Sequence, residues 1–182
     1  PRGIILTLVL GVLAVVNLRG VRSGARLSNF FTGAKLAPLA IFVAAGFWFV
    51  GGRISVGAAP ASATDWMAAL LALVFAYGGF EAALMPAGEV KNPRLDAPFA
   101  LFVALATCAV LYLLIHLVVM GALADPGASE RPLADAARVF LGDAGAGLIA
   151  LGAMVSTYGL LSGQFVSTPR LTYAFAEQRD FP

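Results

Sequence analysis

Residues 97 to 123, APFALFVALATCAVLYLLIHLVVMGAL, contain no Asp, Glu, Lys or Arg, and one histidine, His116. A run of this length exceeds the roughly 20 apolar residues that a bilayer core demands of a helix. In hydrocarbon the backbone must pair its own N–H and C=O groups, which only helices and closed barrels achieve. The rest of the chain follows suit. Of its 182 residues 60% are hydrophobic and 12% charged, against roughly 45 to 50% apolar usage in soluble domains. No ten-residue alternation of a membrane barrel is present, so the fold class is all-α, a polytopic transmembrane helix bundle with the lipid bilayer as its partner. The lone Cys108 lies inside the apolar run, so neither a disulfide framework nor a cysteine metal cluster is available, and no cofactor is called for. The net charge of +2 leaves no nucleic-acid footprint.

Five spans are predicted, at about 3–18, 28–52, 65–88, 97–123 and 145–170, within a single transmembrane domain. The first begins directly after Pro1 and Arg2, and the chain ends at RDFP, so we expect an interior portion of a longer protein. Basic residues are retained on the cytoplasmic side. Arg19, Arg22 and Arg26 fall in the connection 19–27, Lys91 and Arg94 in 89–96, and Arg170 and Arg179 follow the last span. The connections 53–64 and 124–144 are then external; the longer one mixes Arg131 and Arg138 with four acids, and its LADAARVFL is spaced like a short amphipathic helix at the interface.

Two charges fall inside spans, where each costs at least about 2.5 kcal/mol unless it faces a cavity or a partner. Lys35 lies roughly 10 Å in from Ser28 at 1.5 Å per residue. Glu81 lies roughly 22 Å down an oppositely directed span, so roughly 8 Å from the same inner face of a ~30 Å core. Matching depths predict that both line one polar interior; a structural ion pair and a snorkelling Lys35 are the alternatives.

The span 65–88 also contains Gly78, Gly79 and Pro86. Adjacent glycines weaken a helix by about 1 kcal/mol each relative to alanine, and an unwound backbone at membrane depth is tolerated only where it lines a cavity. Such a midplane break frees donors, acceptors and helix-end dipoles, the equipment with which secondary transporters hold a carboxylate or an amine. A small-residue packing face is the competing reading.

The stretch FAYGGFEAALMPAGEVKNPRLDAP resembles the sixth helix and following cytoplasmic loop of amino acid permeases in the amino acid-polyamine-organocation superfamily. NLRGVRSGARLSNFFTGAKLAPL is similar to their loop between the fourth and fifth helices, and YGLLSGQFVSTPRLTYAFAEQRDFP to the end of their eighth helix and the loop after it. The resemblance implies helices four to eight of a transporter usually built from twelve, with an inverted five-plus-five helix repeat. It implies that Gly78 and Gly79 form the unwound segment holding the substrate's amino and carboxyl groups. Phe75 would be an aromatic gate, Ala76 a site-lining residue where the family often shows serine, and Tyr158 a second substrate-facing aromatic. Glu81 would be the acid just below the site. Lys35 would be the fifth-helix lysine that takes the place of a sodium ion in proton-coupled members, so protons come ahead of sodium as coupling ion. The glycine-rich break of the first helix lies outside this sequence, so the remaining helices of the full-length protein are required partners.

The other polar residues have plainer readings. His116 reads as an interhelical hydrogen bonder or a proton relay, and Ser156, Thr157 and Ser162 as helix packing or part of an ion site. GLLSG with His116 is the one pair that an intramembrane serine hydrolase could use, without the usual spacing of a nucleophile motif. The expected function is secondary active transport of amino acids across the cell membrane by alternating access, as proton-coupled symport or amino acid exchange, and not enzymatic. A passive channel or membrane scaffold is the alternative.

Overall fold

Apolar runs punctuated by turn residues become five helices in the computed structural model, which describes residues 2–18, 21–52, 62–80 and 92–178. They are α1 (Arg2–Leu18), α2 (Val21–Val50), α3 (Ala63–Tyr77), α4 (Pro93–Ala122) and α5 (Pro132–Glu177), with a short 3-10 turn at Pro126–Ala128. All regular structure among the described residues is helical. Arg26–Val50 in α2, α4 and α5 are long and apolar enough to cross a membrane; α3, with 15 residues, is apolar but shorter.

Local chemistry explains several ends. α3 starts where Ser62 and Asp65 form a capping box: the Asp65 amide donates to the Ser62 hydroxyl at 3.3 Å, and the Ser62 amide to the Asp65 carboxylate at 2.9 Å. This satisfies two of the donors that a helix N-terminus leaves without partners. α4 starts with Pro93 in its first turn, a position whose missing N–H costs nothing. α2 ends at Gly51 and Gly52, both with positive φ (52° and 85°). It begins at Val21, so most of the arginine-bearing stretch expected as a connection has helical backbone.

α5 has 46 residues, about 69 Å at 1.5 Å per residue, well over twice the hydrocarbon thickness. A kink divides it at Gly142, whose backbone leaves the helical region (φ 67°, ψ −161°). The helical LADAARVFL segment therefore precedes the kink, and the long apolar portion follows it. Asp135 and Asp143 flank Arg138 at 3.3 and 2.9 Å, so this guanidinium ties the two sides of the kink together.

The chain divides into two compact units, Pro1–Leu39 with Ala150–Pro182, and Ala40–Ile149. In the second unit α2 and α4 run parallel. Gly46 of α2 receives Val118, and Gly121 of α4 receives Val50, so the partners advance together along both helices. Phe42, Val50, Val118, Val119 and Ile115 are buried there, and Phe140 lies 5.3 Å from Phe42 and 5.9 Å from Phe49 between ring centroids. Trp48 near the end of α2 and Trp66 near the start of α3 are both exposed, as suits aromatic side chains at a membrane–water interface.

In the first unit α2 and α5 run antiparallel. A Cβ added at Gly159 would lie 2.9 Å from Phe31, and one at Gly152 would lie 3.1 Å from Pro38. Glycine lets these backbones approach closely where apolar tails give no hydrophobic drive for association.

Candidate functional site

The break in α3 supplies the geometry of the site. Val74, Phe75 and Ala76 close the helix, Tyr77 is its last residue, and Gly78 adopts extended backbone (φ −63°, ψ 154°). The Gly78 N–H donates to the Phe75 carbonyl at 3.2 Å, a reach of three residues in place of the helical four. Gly79 then takes φ 94°, in the left-handed region that an L side chain enters at a cost of roughly 1 to 2 kcal/mol. Among the described residues nothing lies within 4 Å of where a Gly79 Cβ would be, and the positive φ by itself favours glycine there. Phe80 follows in 3-10 conformation.

A helix C-terminus presents carbonyls and the negative end of its dipole, which suits a cation or an ammonium group. One of these carbonyls is already engaged. The Tyr112 hydroxyl, on α4, donates to the Ala76 carbonyl at 3.3 Å, and the Tyr112 ring meets Tyr77 edge-on with centroids 5.5 Å apart. Phe75, beside them, is 79% exposed, and no residue of α3 is buried. Tyr112 was not singled out by sequence reasoning: it stands in the least polar run of the chain, 36 residues from the carbonyl it meets.

The second unit thus holds Phe75, Ala76, Gly78 and Gly79 together by adjacency in sequence, with Tyr112 added by packing. Lys35 and Tyr158 belong to the first unit. Lys35 lies on α2 between Phe31 and Pro38, and Tyr158 on α5 between Gly152 and Gly159, so the two occupy the same stretch of the antiparallel pair. Both are half-buried, and Lys35 makes no ion pair among the described residues. Glu81 and Pro86 lie outside the described residues, and with them the expected pairing of Glu81 with Lys35.

The remaining candidates divide by chemistry. The Thr157 hydroxyl donates to the Ala153 carbonyl at 3.0 Å, a helix-internal bond that fits the packing reading. Ser162 is fully buried and its hydroxyl has no hydrogen-bond partner among the described residues. His116 is exposed on α4. No group of three or more metal-ligating side chains occurs among the described residues.

Comparison with known proteins agrees with the apolar helices. The amino acid permease family model matches residues 1–182. The serine/threonine exchanger SteT of Bacillus subtilis is 31% identical over 97% of this chain and 42% of its own length. The methylthioribose transporter of the same organism is 28% identical over 100% of the chain and 39% of its length. The inner membrane transport protein YbaT of Escherichia coli is 28% identical over 98% of the chain and 43% of its length. No solved structure matches. The chain spans about two fifths of the length of these relatives. Its family and its helices make it a multi-pass integral membrane protein and not an enzyme. The chain belongs to the amino acid permease family.

Proposed function

We propose that the full-length protein is a secondary active transporter that moves amino acids across the cell membrane by alternating access, and that the α3 break is part of its binding site. The observation that carries this reading is the end of an apolar helix at Tyr77, followed by an extended Gly78 and a left-handed Gly79. In lipid such a backbone is affordable only against a cavity or protein, and its freed carbonyls complement the ammonium group of an amino acid. The α3 end attracts that group through carbonyl dipoles, the N–H groups beyond it suit the carboxylate, and Phe75 covers the site as an aromatic gate. Tyr158 is read as a second substrate-facing aromatic.

Lys35 is the coupling group. A half-buried lysine with no ion pair among the described residues, in an apolar helix, has a charge whose cost depends on its surroundings, so inward- and outward-open states differ in their hold on its proton. Glu81, next to the break, is the second ionisable group in this role, and protons are favoured over sodium. The relatives named for serine, threonine and other solutes make small neutral amino acids the first substrates to try, by symport or exchange.

The test is uptake of radiolabelled amino acids into proteoliposomes holding the full-length protein, with and without an inward-directed pH gradient. Concentrative uptake that collapses with a protonophore is the expected result; equilibration alone would indicate a channel. Lys35→Ala should lose proton-driven accumulation by roughly tenfold or more, the factor that 1.4 kcal/mol of lost coupling produces. Full accumulation by this variant would remove Lys35 from the mechanism.

A further inference from the structure

We propose that Tyr112 is a positioning residue that holds the α3 break open, its hydroxyl standing in for the backbone donor that the break takes away. In an unbroken helix the Ala76 carbonyl would accept from the N–H of residue 80. The left-handed turn at Gly79 changes that register, and the Ala76 carbonyl accepts instead from the Tyr112 hydroxyl at 3.3 Å. A carbonyl at membrane depth without a partner is strongly disfavoured, so the phenol stabilises the broken conformation relative to the continuous helix.

The ring fixes where this donor sits. Its edge-on contact with Tyr77 places the hydroxyl beside the last turn of α3, and α4 is anchored behind it by the buried Ile115, Val118 and Val119, three to seven residues along. A rigid element thereby presents one hydrogen-bond donor to a segment with no buried residue of its own. Two states of that segment compete for the same carbonyl, one satisfied from another helix and one from its own backbone. Tyr112 biases the choice toward the open state.

The affinity half of the test rests on the proposed binding role of the break; the other half needs no substrate. Tyr112→Phe keeps the ring and removes the hydroxyl. In the full-length protein, amide hydrogen exchange over residues 77–80 should slow, because closing the helix is the remaining way to satisfy Ala76, whereas loosened packing would speed it. KM for the transported amino acid should rise roughly three- to tenfold, the scale of one interhelical hydrogen bond in a membrane protein. Tyr112→Leu, which also loses the contact with Tyr77, should raise KM at least as much. Exchange that is unchanged or faster in Tyr112→Phe overturns the positioning role. Slower exchange with unchanged KM upholds that role and overturns the break as the substrate cradle.

Discussion

Glycine serves opposite ends in two parts of the second unit. At the α2–α4 contact, Gly46 and Gly121 sit singly in helical backbone and each is filled by a valine from the opposite helix, so the missing side chain is replaced by packing. At the end of α3, Gly78 and Gly79 are adjacent, no described residue lies within 4 Å of the Gly79 Cβ position, and the helix stops. A lone glycine weakens a helix by about 1 kcal/mol, which one well-seated knob offsets. Two together with no knob leave the break as the better state, provided another group takes up the carbonyls. What separates a joint from a break is therefore the neighbour and not the residue.

Three substitutions test this contrast. The largest effect is expected for Gly46→Leu, which drives a branched side chain into Val118. Overpacking of this kind costs about 1 to 3 kcal/mol, so the thermal midpoint of the purified full-length protein should fall clearly while KM of the folded fraction stays unchanged. A raised KM with unaltered stability would reverse the roles of the two regions. Next comes Gly79→Ala, in which an L residue must take φ 94°. The cost of roughly 1 to 2 kcal/mol should appear as a roughly tenfold loss of transport with little loss of stability. Wild-type transport by this variant would end the case for the break. The smallest effect is expected for Gly159→Ala, where the added methyl meets Phe31 Cβ at 2.9 Å, a milder clash than the closer approach of Val118 at Gly46, and one that the two helices must shift to relieve. About 1 kcal/mol of stability should be lost, measurable as a modest shift in unfolding midpoint, and a larger loss would mean that this contact is as rigid as the one at Gly46.

Much of the architecture was legible because membrane physics leaves few choices. The run 97–123 had to be a helix, and the structure extends it only by a proline-started turn, giving Pro93–Ala122. The end of α3 was legible in part: adjacent glycines in an apolar run fit either a break or a small-residue packing face, and the structure ends the helix at Tyr77. Other features were opaque for reasons specific to each. Arg22, Ser23 and Arg26 read as a polar connection, yet α2 starts at Val21, since polar side chains do not oppose a helix that continues beyond the apolar core. Gly142 joins two helical stretches at an angle that composition does not encode. Tyr112 was hidden among leucines and valines, where nothing local distinguishes a tyrosine that reaches another helix from one that faces lipid. Conversely, the depth match between Lys35 and Glu81 belongs wholly to sequence, because Glu81 lies outside the described residues.

By itself, then, the sequence determined the solvent and the helical class. Both follow from the cost of exposing backbone or charge to hydrocarbon, a cost that accrues residue by residue along the chain. Tertiary structure decided which glycines are joints, that α2 runs parallel to α4 and antiparallel to α5, and which donor answers the Ala76 carbonyl. Those depend on what another helix brings to within a few ångströms, and no single run of residues specifies its neighbour.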